Sequence, residues 1–312
     1  MREAYYGVFL VGFFVTLGCT PFIRRLANKI GAVDLPNQRK VHKEPMPRLG
    51  GMAIYLGFVA AALLLVDLSN KVIGLLLGGT IILILGIIDD VRGISPKTKL
   101  MGQAAAALVV IAFGIKIQFI TNPFDSLIFL GSLSIPITLL WLVGVTNAVN
   151  LIDGLDGLAS GISAIALFTF SYIAYTNQQF TVSLLTFLLA GCIIGFLRYN
   201  FYPATIFLGD SGSMFLGFNI AALAVFGLLK GVTLVALVIP LTILGVPIFD
   251  TFFAIVRRRR EHQPIFKADK KHIHHRLLNR GLSHWQAVLI IYLISLCFSA
   301  SALWFSSNLR LF

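Results

Sequence analysis

The chain has 312 residues, of which 57% are hydrophobic and only 12% are charged, and its mean hydropathy is +0.88. Apolar runs of roughly 17 to 25 residues recur along it, which is the length that a helix needs to cross a bilayer. This composition excludes a soluble globular protein and predicts an all-α polytopic integral membrane protein, organised as one transmembrane domain over residues 1–312. The three cysteines lie far apart inside apolar runs and predict neither a disulfide nor a zinc site: Cys19, Cys192 and Cys297.

Ten apolar segments are predicted to form membrane-spanning helices. They lie at about 5–23, 50–66, 72–88, 100–115, 133–149, 158–175, 181–197, 212–229, 232–256 and 286–306. Because ten is an even number, both chain termini are predicted to lie on the same side of the membrane.

The net charge is +12, which in a soluble protein would suggest a nucleic-acid partner. Here the distribution of the charge matters more than its size. The loops after the first, third, fifth, seventh and ninth segments hold 20 of the 25 Lys and Arg residues, and the other five are Arg2, Lys71, Lys116, Lys230 and Arg310. By the positive-inside rule, the cation-rich loops face the cytoplasm and both termini lie outside. We therefore predict a membrane lipid environment and no nucleic-acid partner.

The carboxylates show the same asymmetry. Ten of the thirteen lie in or beside the predicted cytoplasmic loops, and the exceptions are Glu3, Asp67 and Asp125. Since acidic residues contribute little to topology, this second bias needs another cause. We infer that the active face of the protein is cytoplasmic.

The first predicted cytoplasmic loop contains the sequence DLPNQRKVHKEPMPRLGG, from Asp34 to Gly51. Its three prolines disfavour a helix, and its basic residues, among them Lys43, precede a glycine pair that opens the second span. Such a segment suits phosphate groups. The alternative is a loop whose charges are solvated and only fix the topology.

The third span ends in GIIDD, where Asp89 and Asp90 follow an otherwise uncharged apolar run. Two adjacent carboxylates in that place are costly unless cations or a metal compensate them. Adjacent helical residues point about 100° apart, so one aspartate can meet a substrate while the other meets a metal or a lysine. The alternative is a helix cap followed by a turn.

Between the fourth and fifth spans, the sequences IQFI and LIFL predict a short β-hairpin. The fifth span then runs into NAVNLIDGLDGLAS, from Asn147 to Ser160. Asp153 and Asp156 stand one helical turn apart, and the adjacent glycines let the backbone turn sharply or let a ligand approach. This pattern indicates a site, and the alternative is a polar turn between two membrane helices.

After the seventh span, the sequence RYNFYPATIFLGDSGSMFLGF covers Arg198 to Phe218. Glycines flank Asp210 at the start of the eighth span, so the amides of a helix N-terminus are predicted beside a carboxylate. That combination suits magnesium together with phosphate. The alternative is that Asp210 only caps the helix.

The last cytoplasmic loop follows the run Arg257–Arg260 and contains three histidines, His272, His274 and His275, flanked by Lys270, Lys271 and Arg276. Zinc is one interpretation of the histidines. However, the hard carboxylates elsewhere favour magnesium, and the loop contains no cysteine, so we predict phosphate recognition.

Taken together, these residues resemble the polyprenyl-phosphate N-acetylhexosamine-1-phosphate transferases, a family that includes phospho-MurNAc-pentapeptide translocase. The similarity spans nearly the whole chain. It rests on five motifs in family order: Asp34 with KVHKEPMPRLGG, GIIDD with KTKL, NAVNLIDGLDGLASG, NFYPATIFLGDSGS and HIHHRL. HIHHRL in place of a PIHHHFE-like sequence, and PRLGG in place of a TPTMGG-like sequence, resemble the branch that uses UDP-GlcNAc or a similar UDP-amino sugar.

The resemblance implies a magnesium-dependent enzyme of the bacterial plasma (inner) membrane, with manganese as a substitute metal. It would transfer N-acetylhexosamine 1-phosphate from a UDP-sugar to undecaprenyl phosphate, releasing UMP, as the first membrane step of a cell-envelope polysaccharide such as a lipopolysaccharide or a teichoic acid. The same resemblance leaves transfer of phospho-MurNAc-pentapeptide open. The carboxylates beside the spans leave a different class open as well, an ion-coupled transporter in which they form an ion path. The resemblance is also compatible with a homodimer.

The resemblance also implies roles for individual residues. Asp210 would bind the metal together with Asp90, and Asp89 and Asp90 would act at the prenyl phosphate or the metal. The predicted nucleotide-side residues are Lys43, Asn150, Asp153, Asp156, Asn200 and Phe207, and the predicted pyrophosphate-side residues are His274, His275 and Arg276. The family often has a lysine three residues after the aspartate pair. Here that position is Gly93, so Arg92 or Lys97 would have to replace the lysine.

Overall fold

The structure is a computed structural model that describes residues 2–35, 45–121, 127–227, 240–261 and 272–308. Within these ranges it has eleven α-helices: α1 Arg2–Ile30, α2 Gly50–Leu65, α3 Asn70–Arg92, α4 Pro96–Ala112, α5 Ser134–Ile152, α6 Leu158–Thr176, α7 Phe180–Asn200, α8 Gly209–Gly227, α9 Gly245–Arg260, α10 Ile273–Asn279 and α11 His284–Asn308. A short 3-10 turn, Gly131–Leu133, precedes α5.

The predicted all-α polytopic class is confirmed. Among the described helices, seven are long and apolar enough to cross a membrane: α1, α3, α5, α6, α7, α8 and α11. The predicted count of ten spans is not confirmed. The second, fourth and ninth predicted segments correspond to shorter helices of 16, 17 and 16 residues, α2, α4 and α9. The ninth segment also includes residues outside the described ranges.

Two small β-hairpins lie outside the helices. Strand β1, Val33–Asp34, pairs antiparallel with β2, Met46–Pro47, on the loop before α2. Strand β3, Phe119–Thr121, pairs antiparallel with β4, Leu127–Phe129, between α4 and α5. The second pair is the hairpin that the sequence predicts.

Helix α8 forms the centre of the bundle. Every residue from Ser211 to Gly227 is buried, and α2, α3, α5, α6 and α7 pack around it. Its sequence is apolar or small on all sides, which is typical of a helix that has no face toward solvent or lipid. In contrast, α1 and α11 are largely exposed at the periphery, where a membrane protein meets lipid.

Glycines let α2 and α3 approach the start of α8 closely. A Cβ atom added to Gly51 would lie 2.2 Å from the amide nitrogen of Gly212, and one added to Gly86 would lie 2.3 Å from Cα of Ser211. No side chain fits at either place. As a result, the end of α3, which carries Asp89 and Asp90, lies directly against the first turn of α8.

This packing predicts that Gly86→Ala destabilises the protein by about 1–3 kcal/mol, because the new methyl group would collide with backbone. Gly144→Ala is the matched control, since a Cβ there meets no atom within 4 Å. The control should leave stability unchanged or raise it slightly, because alanine favours a helix over glycine. Chemical unfolding of the purified variants in detergent measures both effects. Equal stability of the two variants would contradict the close α3–α8 contact.

Candidate active site

Four helix termini meet at one end of the bundle. They are the C-terminal ends of α3 and α5 and the N-terminal ends of α4 and α8. Each contributes polar side chains to one cluster. Helix α3 contributes Asp89 and Asp90, α5 contributes Asn150, α4 contributes Lys99 and α8 contributes Asp210. The predicted site residues of three separate motifs therefore lie in contact with one another.

Asp90 holds the first turn of α8. Its Oδ1 accepts a hydrogen bond from the amide of Asp210 and its Oδ2 accepts one from the amide of Ser211, both at 2.9 Å. The first amides of a helix have no partner within the helix, and a buried carboxylate can supply one. Asp90 is only 1% exposed. The predicted binding of metal or substrate by Asp90 stays a prediction, and its contacts give it a second role as the residue that positions α8.

Arg48 connects the first loop to this cluster. Its Nε and Nη2 donate to the backbone carbonyl of Asp90 at 3.1 and 2.6 Å, and its Nη1 lies 3.5 Å from Oδ1 of Asp34. The loop is also joined to the segment before α8. The amide of Gly50 donates to the carbonyl of Phe207, and the amide of Phe207 donates to the carbonyl of Pro47. The PRLGG motif is therefore part of the site wall.

Lys99 lies between two carboxylates. Its Nζ contacts Oδ2 of Asp89 and donates to Oδ1 of Asp210 at 2.9 Å. Lys99 makes these contacts, whereas the side chains of Arg92 and Lys97 are exposed. Ser95 caps α4 through the amide of Thr98, and the first turn of α4 then directs Lys99 inward.

Asp210 is oriented through one of its two oxygens. Oδ1 accepts from Lys99 and, at 2.7 Å, from Nδ2 of Asn150, which also donates to Oγ of Ser213 at 2.8 Å. Within the described ranges Oδ2 accepts no hydrogen bond, and the side chain is 29% exposed. One carboxylate oxygen of Asp210 is therefore available to a ligand.

A second polar layer lies one helical turn deeper on the same helices. Gln103 of α4 is fully buried, and its Oε1 accepts from Asn147 of α5 at 2.7 Å while its Nε2 donates to the sulfur of Met214 of α8 at 3.3 Å. Gln103 follows Lys99 by four residues, and Met214 follows Asp210 by four. The buried amides therefore fix the relative positions of the helices that carry the site above them.

Two residues predicted on the nucleotide side organise the segment between α7 and α8. Oδ2 of Asp156 accepts from the amide of Ala204 at 3.0 Å. Asn200 is buried, and it accepts from Ser160 at 2.8 Å and donates to the carbonyl of Ile206 at 3.1 Å. These bonds hold the backbone segment that carries the half-buried Phe207 and leads into α8.

Asp153 lies at the end of α5, close to the other carboxylates. Burial, followed by the negative charges of Asp210, Asp90 and Asp156, holds the pKa of Asp153 well above its ordinary value. The cluster is therefore a region of negative potential. A cation entering it would be stabilised.

The histidine segment folds onto the turn after α5. The ring of His274 lies over Gly154, where an added Cβ would be 2.3 Å from Nε2, and the side chain is 2% exposed. Burial, together with His275 and His272, lowers the pKa of His274 to about 3. His274 is therefore a neutral imidazole near pH 7, while Arg276 is exposed one turn along α10. The predicted residues Lys43, Lys270 and Lys271 lie outside the described ranges.

The side chains of the site fit some metals better than others. In the part of the chain that the structure describes, no group of three or more His, Cys, Asp or Glu side chains could hold a metal ion. Zinc sites in proteins use three or four such ligands, whereas magnesium is bound by one or two carboxylates together with substrate phosphates and water. The single free oxygen of Asp210 fits the second pattern.

Comparison with known proteins identifies the family. The sequence profile described as glycosyl transferase family 4 matches residues 72–228, which include the Asp89, Asn150 and Asp210 motifs. A probable undecaprenyl-phosphate N-acetylglucosaminyl 1-phosphate transferase from Bacillus subtilis (strain 168) is 48% identical over 95% of this chain and 83% of its own length. The chain belongs to glycosyl transferase family 4.

Two further relatives have related names. A decaprenyl-phosphate N-acetylglucosaminephosphotransferase from Mycobacterium tuberculosis (strain ATCC 25618 / H37Rv) is 37% identical over 89% of this chain and 77% of its own length. A phospho-N-acetylmuramoyl-pentapeptide-transferase from Halalkalibacterium halodurans is 33% identical over 91% of this chain and 90% of its own length. The seven long apolar helices of this family 4 member agree with a multi-pass membrane protein.

Sequence reasoning did not identify three contacts of this family 4 protein. Lys99, Arg48 and Gln103 were not assigned to the site, although Lys99 and Arg48 lie inside the quoted motifs. For Lys99 a signal was available, because Ser95-Pro96 is a helix start and places Lys99 in the first turn. For Gln103 the signal was weaker: a single amide in an apolar helix, which must find a partner.

The pKa of His274 predicts a pH dependence of stability. Its folded-state pKa of about 3 lies below the ordinary value of 6.5, so below pH 6.5 the unfolded chain takes up a proton that the folded protein does not. Stability is therefore lost as the pH falls, by about 1.4 kcal/mol per pH unit for one such group. The raised pKa of Asp153 acts in the opposite direction.

A His274→Gln variant isolates the histidine from the carboxylates. Between pH 7 and pH 5 the variant should gain about 2 kcal/mol relative to the wild type, because glutamine does not titrate. Unfolding in detergent at several pH values measures this difference. Parallel curves for the two proteins would contradict the burial of a neutral His274.

Proposed function

We propose that this protein transfers N-acetylglucosamine 1-phosphate from UDP-GlcNAc to undecaprenyl phosphate and releases UMP. The observation that carries the proposal is the Asp89–Lys99–Asp210 arrangement beside Asn150, at one end of a bundle of apolar helices. The names of the relatives at 48% and 37% identity support GlcNAc 1-phosphate as the transferred group. The relative named for pentapeptide transfer is less similar, at 33%, which disfavours that alternative.

The reaction is a phosphoryl transfer. An oxygen of the lipid phosphate attacks the phosphorus that carries the sugar, a new P–O bond forms, and the P–O bond to UMP breaks. Little covalent chemistry is left to the protein, so catalysis depends on position and on compensation of negative charge. A membrane-bound acceptor and a water-soluble donor must meet at the end of the bundle, where the polar cluster lies.

The side chains divide this task. Asp210, with one oxygen fixed by Lys99 and Asn150, would hold Mg²⁺ or Mn²⁺ through the other, and the predicted second ligand is Asp90. The metal, when bound, would neutralise charge on the donor phosphates. Asp89 and Asp90 are the candidates for the lipid phosphate side. Lys99 keeps the carboxylates from repelling one another and lies within reach of an incoming phosphate oxygen.

The donor site is proposed on the other side of Asp210. Phe207 and Asp153 line it, Asp156 and Asn200 hold its backbone, and Asn150 contacts Asp210 itself. His274 lies on Gly154 at the same end, with His275 and the exposed Arg276 on the same short helix. Arg276 offers a planar pair of donors that suits a pyrophosphate. The bias of Lys and Arg between alternate loops supports a cytoplasmic location of this end and an external location of both termini.

The direct test is an assay of UMP release by the purified protein with undecaprenyl phosphate, Mg²⁺ and either UDP-GlcNAc or UDP-MurNAc-pentapeptide. Release is expected with UDP-GlcNAc, should require both lipid and divalent cation, and should fall at least about a hundredfold in Asp210→Asn. Release only with the pentapeptide donor would reverse the choice of substrate. Solute uptake by reconstituted vesicles without any UMP release would favour a transporter.

Lys99→Met tests the bridge between the carboxylates. The variant removes the shared cation and leaves Asp89 and Asp210 to repel each other, so we expect turnover to fall by about two orders of magnitude. Lys97→Met is the matched control, because Lys97 is two residues away and exposed. Its turnover should stay within about twofold of the wild type. Equal losses in both variants, measured as UMP release, would contradict a specific role for Lys99.

A further inference from the structure

Asp250 makes two contacts that the proposed reaction does not yet use. It lies on α9, and its carboxylate faces the start of α10. Oδ2 is 2.8 Å from Nδ1 of His272, and Oδ1 accepts from the amide of Ile273 at 2.9 Å. Both side chains are nearly buried, at 11% exposure for Asp250 and 5% for His272. One carboxylate therefore joins two helices at two points.

The pairing with Asp250 selects the tautomer of His272. An ionised carboxylate can only accept a hydrogen bond, so Nδ1 of His272 must carry the proton. The second contact serves the backbone. Ile273 is the first residue of α10, and its amide has no partner within the helix. The side chain of His272, at the N-cap position, does not cap the helix, so Asp250 does so from α9.

Helix α10 depends on such contacts. It has seven residues, and isolated helices of that length are unstable in water. Its position must therefore come from packing and from tethers to its neighbours, among them α11. A carboxylate that caps the helix and pairs with the residue before it limits both the rotation and the distance of α10 relative to α9.

The position of α10 determines where His274 lies. The rings of His272 and His274 are parallel, with centroids 6.0 Å apart. The His274 ring in turn occupies the space over Gly154, next to Asp153. A shift of His272 therefore also moves His274, two residues later, and changes the contact of His274 with the Gly154 turn beside the proposed donor site.

We propose that Asp250 is a positioning residue, which holds His272 and the amide of Ile273 so that α10 stays docked on the Gly154 turn. The docked helix presents His275 and Arg276 to the donor phosphates. The docking itself follows from contacts within the chain, and only its effect on turnover rests on the proposed function. The two parts can therefore be tested separately.

The first measurement is hydrogen exchange of the amides of residues 273–279 in the purified full-length protein, without substrates. Asp250→Ala should raise their exchange rates at least about tenfold, because α10 leaves its docked position more often. Asp67→Ala, at an exposed aspartate near the other end of the bundle, is the control and should not change them. Unchanged exchange in Asp250→Ala would overturn the proposal, whatever reaction the protein catalyses.

The second measurement is the kinetics of UMP release. In Asp250→Ala, kcat should fall at least about tenfold while KM for UDP-GlcNAc changes less than about threefold, since the docked loop acts on developing charge. Increased exchange with unchanged kcat would overturn the role of docking in turnover. If the wild type releases no UMP, the proposed function fails, and the exchange result alone decides the docking.

Asp250→Asn separates the two contacts and covers a failure of the alanine variant to fold. Asparagine can still accept from Ile273, but its NH₂ group cannot accept the Nδ1 proton of His272. Exchange of 273–279 should therefore stay within about threefold of the wild type, with kcat between those of the wild type and Asp250→Ala. Exchange as fast as in a fully undocked helix would overturn the capping role assigned to Oδ1.

Discussion

The amino terminus of α8 lies at one end of the bundle, where the end of α3 packs against it, and its first amides need partners there. Asp90 supplies two of them, at 2.9 Å to Asp210 and Ser211. Leaving such amides buried and unpaired costs about 1–3 kcal/mol each. The end of α3 and the start of α8 are therefore held together by hydrogen bonds as well as by the glycine contact at Gly86. Because the bonded amide belongs to Asp210 itself, this constraint also fixes the proposed metal ligand.

The same constraint concentrates negative charge. Asp89, Asp90 and Asp210 lie close together, and burial, followed by the negative charges nearby, raises the pKa of Asp153. Lys99 and Arg48 offset part of this charge, and Gln103 and Asn147 hold the helices beneath it. These cations neutralise only part of the negative charge of the carboxylates, and one oxygen of Asp210 accepts no hydrogen bond in the described structure. A divalent cation that arrives with a nucleotide-sugar would complete the balance, which is the physical reason for proposing phosphoryl transfer here.

The sequence was sufficient for the helical class and for the gathering of the motifs at one end, because both follow from local hydropathy and from the alternation of loops. It did not indicate which polar groups meet. Lys99 and Asp210 are separated by 111 positions, and their contact depends on how α4 and α8 pack. Nor can a motif distinguish a ligand from a buried structural bond. Asn200 and Asp156 bond to backbone of the segment before α8, which only coordinates can show. The pair of Asp250 and His272 was missed for the same reason.

A structure of the protein with UDP-GlcNAc and Mn²⁺, with the metal located by anomalous scattering, tests the central claim most directly. The metal should lie on Asp210 between the carboxylate and the donor phosphates, while both oxygens of Asp90 remain bonded to the amides of Asp210 and Ser211. A metal bound by His272, His274 and His275, or an Asp90 that has released both amides, would contradict this account.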